Sequence, residues 1–208
     1  MFAGRLAPLR FLGVDPGGPR WPLLVLETEA LLIRPPATGD FAAWSSLRGQ
    51  SRAFLEPWEP LWPGDDLTQT SYRRRLKRYA QEIEQDEAYP FFVFLKGGAT
   101  LVGGLTLGNI RRGASRTGTL GYWMGAPHAG KGLMTEAVRE VCRLGFVHLK
   151  LARIEAACLE DNAGSIRLLE KTGFRREGLA RSYLEIAGRR RDHLLFARLP
   201  GDPDGMTA

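Results

Sequence analysis

Gly121-Tyr-Trp-Met-Gly-Ala-Pro-His-Ala-Gly-Lys-Gly-Leu-Met-Thr-Glu-Ala-Val138 is the stretch whose reading decides the fold. It runs from an apolar strand through a glycine-bearing turn into the first turn of an amphipathic helix. A helix start leaves its first backbone N–H groups without intrahelical partners, and the helix dipole adds partial positive charge there. Gly130 and Gly132 carry no Cβ, so an anion can approach these amides closely. The combination is a phosphate site.

Working outward, Met134, Ala137, Val138, Val141 and Leu144 fall at helical spacing and predict a helix over 133–148. A second strand-to-helix unit follows. Arg153-Ile-Glu-Ala-Ala-Cys-Leu159 reads as a strand, and a helix over 162–171 is ended by Gly173 at its C′ position. Upstream, 91–95, 101–110 and 117–124 read as an antiparallel meander, with a Gly97-Gly98 turn between the first two. Gly103, Gly104 and Gly108 inside a strand signal close backbone approach. A short strand at 30–34 stops at Pro35-Pro36, and Asp40 then caps a helix carrying Phe41, Trp44 and Leu47. Pro57, Pro60 and Pro63 keep 54–62 irregular, and a charged helix spans 68–85 with Leu76, Tyr79 and Ile83 as its apolar stripe. Phe174 begins another strand, and residues 183–188 and 193–199 pair as a final hairpin.

The 208 residues, 44% hydrophobic, suffice for one cored domain. The expected organisation is an N-terminal extension at 1–26, one domain at 27–200 and a disordered tail at 201–208. The prolines in 1–26 break any signal-peptide core, and no apolar run is long enough to span a membrane. Cys142 and Cys158 sit in no metal or redox motif and read as buried thiols of a reducing cytoplasm; no metal is expected. The net charge is +6, from 29 Lys and Arg against 23 Asp and Glu. Its basic runs are either solvated faces or attractors of a polyanion. No aromatic-interleaved RNA motif accompanies them, so direct nucleic-acid binding is not expected, although contact with ribosomal RNA stays open.

The Walker pattern GxxxxGK[ST] and the dinucleotide pattern GxGxxG are both absent. The glycine turn joined to Asn162-Ala-Gly-Ser165 instead resembles the GNAT N-acyltransferase superfamily. Ala129 stands where that family has Arg or Gln, Gly132 matches, and Met134 replaces the final Gly or Ala. Phe54-Leu-Glu-Pro-Trp-Glu-Pro60, Asn109-Ile-Arg-Arg-Gly113, Leu120-Gly-Tyr122, Tyr183-Leu-Glu-Ile-Ala-Gly188 and Arg191-Asp-His193 are similar to the ribosomal-protein-alanine N-acetyltransferases, over about residues 31–199.

The resemblance implies an α/β (α+β) acyl-CoA N-acyltransferase fold. Its mixed, mostly antiparallel sheet would be splayed between two parallel central strands, 119–124 and 153–159, with helices on both faces. It implies transfer of acetyl from acetyl-CoA to an amine in a ternary complex, with a protein N-terminus, that of a ribosomal protein included, as acceptor. Tyr122, Trp123 and Met124 would form the strand edge that pairs with the pantetheine arm, with an oxyanion-stabilising N–H near Met124. Gly130, Lys131, Gly132, Leu133, Met134 and Thr135 would offer amides to the diphosphate. Ser165 takes the general-acid position, where other members use a tyrosine at the place of Leu169. The alternative for Ser165 is a first-turn serine satisfying helix amides. Asn162 reads as an N-cap, a pantetheine ligand or both.

Glu59 is the expected base, desolvated by Trp58 and Trp62; Glu56 and Glu185 are the other carboxylates considered. The alternative is that Glu56 and Glu59 bind the acceptor's ammonium or fix the loop. Glu56, Trp58, Trp62 and Tyr183 are expected on the acceptor side, and His193 in a structural hydrogen bond. Two rivals remain: acetylation of a small amine such as a polyamine, amino sugar or drug, and a non-catalytic CoA- or RNA-binding module.

Overall fold

Residues 24–97 and 99–204 are described by the computed structural model. Residues 1–23, Gly98 and 205–208, and with them most of the expected extension and half of the expected tail, lie outside the described residues. In chain order the elements are β1 (Leu26–Glu27), β2 (Leu31–Arg34), α1 (Phe41–Gln50), α2 (Arg52–Leu55), α3 (Gln69–Glu84), β3 (Tyr89–Leu95) and β4 (Leu101–Arg111). They continue with β5 (Thr117–Met124), α4 (Leu133–Arg143), β6 (Arg153–Leu159), α5 (Ala163–Lys171), β7 (Arg175–Ile186) and β8 (Arg189–Arg198).

The strands form one sheet in the order β1-β2-β3-β4-β5-β6-β8-β7. Every neighbouring pair is antiparallel except β5 and β6, which are parallel. Both faces are covered, which explains why Phe91-Phe-Val-Phe94 does not alternate with polar residues. Phe91 and Val93 pack into the larger core with Val138 and Val141 of α4 and Leu169 of α5. Phe92 and Phe94 point the other way, into a smaller core with Trp44 and Leu47 of α1 and Tyr72 of α3.

Several local expectations need amending. Asp40 sits at the start of α1, but its carboxylate does not cap it. Arg34 donates to both its oxygens (2.6 and 2.7 Å), and Ala37 N–H donates to one of them. The helix expected over 133–148 changes winding after Arg143 and ends as a π-type segment at Leu144–His148. The strand expected to begin at Phe174 and the hairpin strand expected from 183 are one strand, β7. Leu26, assigned to the extension, pairs with Ile33 and is buried. Residues 201–204, assigned to the tail, lie against the domain: Asp202 pairs with Arg175, and Asp204 with Arg139 and Arg198.

Candidate active site

The site is built where the sheet parts. Strands β5 and β6 pair only at Thr117–Arg153, Gly118–Ile154 and Thr119–Glu155. Beyond that each stays with its outer neighbour, β5 with β4 as far as Met124–Gly103 and β6 with β8 as far as Leu159–His193. The edge of residues 120–124 that faces β6 therefore has no strand partner among the described residues.

The glycine turn lies at the end of that edge. Gly125 N–H bonds Val102 O, and Ala126 N–H bonds the hydroxyl of Ser51, which is fully buried. Gly130 and Gly132 have φ of +75° and +78°, a conformation that side-chain-bearing residues rarely adopt. A Cβ at either position would meet nothing within 4 Å, so the turn faces open space. Gly132 caps α4 with no side-chain hydrogen bond, and the first helical bond is Glu136 N–H to Gly132 O. The amides of residues 133–135 are thus left over. The Lys131 ammonium turns back onto Pro127 O (2.8 Å), Met134 is buried in the core, and Leu133 packs against it.

On the opposite side of the gap, Asn162 caps α5 by accepting Ser165 N–H (3.0 Å). Ser165 does not spend its hydroxyl on helix amides. Its Oγ lies 2.5 Å from Tyr122 Oη, a hydrogen bond that crosses from β5 to α5. Burial pushes the Tyr122 phenol well above its ordinary value, against a smaller downward pull from Ser165. Cys158 also contacts Ser165, and burial pushes its thiol up. Leu169 is fully buried in the core.

The α1/α3 face carries two adjoining cavities. One, of about 290 Å³, is lined by Trp44, Arg48, Glu59, Tyr79 and Trp123; the other, of about 890 Å³, by Arg78, Glu82, Glu87, Glu155 and Tyr183. They share Tyr79, Thr106 and Gly121, the last on β5 at the parted edge. Close approach of backbone and side chain shapes this face. A Cβ on Gly104 would stand 2.7 Å from Trp123 Nε1, so only glycine lets the indole lie flat there.

Glu59, the expected base, is tied to its neighbours. Arg48 donates to both its oxygens at 2.7 Å, and Trp62 Nε1 donates to one of them, also at 2.7 Å. The Arg48 guanidinium in turn lies 4.0 Å from the Trp62 ring centroid and 5.0 Å from that of Trp123. A carboxylate occupied by three donors fixes its loop, the alternative the sequence left open for Glu59, while Glu59 still borders the smaller cavity. Glu56 pairs with Arg52, outside both cavities. Glu185 is exposed opposite Arg190 and also lines neither. Trp58 lines neither cavity, whereas Tyr183 borders the larger and stacks edge-on against buried His193. His193 Nδ1 lies 3.0 Å from Arg191 O, as expected for a structural histidine. Sequence reasoning passed over Arg48. The available signal was an arginine one turn after Trp44 on the apolar side of α1, a position that demands a buried partner.

Comparison with known proteins gives the same picture. The sequence pattern of the acetyltransferase (GNAT) domain matches residues 30–175. The probable N-acetyltransferase YjcK of Bacillus subtilis is 38% identical over 86% of this chain and 99% of its own length. The [ribosomal protein uS5]-alanine N-acetyltransferase of Escherichia coli is 32% identical over 85% of this chain and 91% of its own. The structure of Mycobacterium smegmatis RimJ in complex with CoA-disulfide superposes with a TM-score of 0.78 at 36% identity, covering 82% of each chain.

Proposed function

Because the chain belongs to the acetyltransferase (GNAT) family, it is an acetyl-CoA-dependent N-acetyltransferase, and we propose that its acceptor is the N-terminal amine of a protein, above all a ribosomal protein. The observation that carries this reading is the parted pair β5–β6, bordered on one side by the open amides of the glycine turn and on the other by the paired cavities. The name of the uS5-alanine relative supports the ribosomal acceptor. A cytoplasmic site of action goes with it.

Acetyl-CoA brings a thioester whose carbonyl carbon accepts an amine. The residues of this chain then have separate tasks. The amides of residues 130–135 hold the diphosphate at the positive end of α4. The free edge formed by Tyr122, Trp123 and Met124 pairs with the pantetheine arm, and an N–H near Met124 stabilises charge on the acyl oxygen. Asn162 fixes the start of α5, and Ser165 directs its hydroxyl at the sulfur as the C–S bond breaks.

No carboxylate base is required. An α-amine, with a pKa near 7.7, is roughly one-sixth neutral at pH 7, whereas a lysine near 10.4 is neutral less than about one part in a thousand. Water in the cavities takes the amine's surplus proton. Tyr183 and the Glu59-braced loop, with Trp62 packed on Arg48, bound the acceptor's path.

A second reading has one observation in its favour. Glu82, Glu87 and Glu155 all line the larger cavity, as a polyamine site would require. Arg78 and Arg111 already pair with Glu82 and Glu155, which leaves Glu87 alone and weakens that reading. The test is thiol release from acetyl-CoA with peptides beginning in Ala or Ser, a peptide whose only amine is a lysine, and spermidine. The proposal expects release with the free N-termini and little with the lysine-only peptide. Turnover with spermidine but no peptide would contradict it.

A further inference from the structure

We propose that Tyr122 is the positioning residue for Ser165: its phenol donates to Ser165 Oγ, so that Ser165 turns its own hydrogen into the gap between β5 and β6. The inference rests on the role given to Ser165 above and adds a residue from a different strand to it.

Three observations support it. The two oxygens are 2.5 Å apart, and the Cys158 thiol is a second hydrogen-bonding neighbour of Ser165. Ser165 N–H is already taken by Asn162, so the backbone beneath the hydroxyl is fixed and only its rotor is free. Finally, Leu169 occupies the core, so α5 offers no phenol of its own at that position.

Chemistry decides the direction of the bond. A phenol is a stronger acid than an aliphatic alcohol, so Tyr122 donates and Ser165 accepts. A serine that accepts one hydrogen bond still has a hydrogen to give, and accepting the bond polarises its O–H. Burial keeps the Tyr122 phenol protonated, and the buried Cys158 thiol beside Ser165 is likewise held neutral. Among the described residues, no charged side chain hydrogen bonds Ser165.

The transfer stays balanced. The amine nitrogen forms a bond to the acyl carbon, the C–S bond breaks, and the electron pair leaves on sulfur. The amine loses one proton to water and the sulfur gains one from water. Ser165 stabilises the sulfur's charge by a hydrogen bond between those events, and neither hydroxyl changes its proton count.

The experiment is a double-mutant cycle of Tyr122→Phe, Ser165→Ala and the pair, scored by kcat with saturating acetyl-CoA and an Ala-initial peptide. CoA affinity is measured by calorimetry on each variant. We expect Tyr122→Phe to lower kcat about 10- to 100-fold, within the range of a lost positioned donor, with CoA affinity within about threefold of the parent. In the Ser165→Ala background the same change should cost less than about threefold, because groups that act as a unit are not additive. An unchanged kcat in Tyr122→Phe, or losses that multiply, would overturn the inference while leaving Ser165 in place. A Ser165→Ala variant at the parent rate would remove Ser165 itself, and the inference with it.

Discussion

Two side chains that the sequence made hard to read, Arg48 and Glu59, brace the acceptor side. Arg48 is 8% exposed and stacks between two indoles, while its guanidinium holds the Glu59 carboxylate bidentately. Glu59→Gln keeps one acceptor oxygen and removes no base, so kcat is expected within about fivefold of the parent; a loss of 10² or more, typical of a missing general base, would reinstate it. Arg48→Ala strands a partly buried carboxylate and empties the space between the rings. It should lower unfolding free energy by about 2–4 kcal/mol in a denaturant titration, a discount on the fully buried case because Glu59 is 21% exposed. The glycine turn and Ser165 were legible because their chemistry lies within a short stretch of chain. The Tyr122–Ser165 bond was not, since 43 residues separate its partners and only the sheet topology brings them together.

At the level of elements, strands 117–124 and 153–159 appear with the boundaries that their apolar patterns predict. The short α2 does not, because it has no periodic apolar face to read, and the strands expected from 174 and 183 run together as β7. Helix α5 depends on its cap. Asn162→Ala is expected to cost about 1 kcal/mol in thermal or chemical unfolding and to slow turnover by loosening Ser165; unchanged stability would show that the cap contributes nothing. The end of α3 carries a pH signature. Asp86 accepts two hydrogen bonds from Arg112 and one from Tyr89. Hydrogen bonding to Arg112, then to Tyr89, holds its carboxyl below the usual range against some desolvation. A carboxyl depressed by folding contributes stability above its unfolded pKa of about 3.9, and loses it as pH falls through the lower folded value. Asp86→Asn should therefore flatten the acid limb of the stability profile below about pH 4 and reduce stability at neutral pH. An unchanged limb would contradict that assignment.

For the whole molecule, the strand order and the single parallel pair are what turn separate motifs into one site. Periodicity alone suggested a meander and two strand–helix units; it could not say that β8 inserts between β6 and β7 or where β5 and β6 part. The parting was reached from the family resemblance, the insertion of β8 was not, and the register fixes the β5–β6 pairing at three residue pairs. The charge excess is a whole-molecule property too, and it survives ion pairing, because pairs such as Arg34–Asp40, Arg75–Asp66 and Arg153–Glu177 remove one charge of each sign. The central claim is that the open amides after Gly132 bind the diphosphate of CoA. The most direct measurement is the CoA dissociation constant of Gly132→Asn against Gly132→Asp. Both side chains tolerate the left-handed backbone there and both cap helices well, so the pair differs essentially in one negative charge. The account predicts that Asn binds CoA within about tenfold of the parent and that Asp weakens it by a further 10² or more at low salt. Equal affinities for the two variants would contradict it.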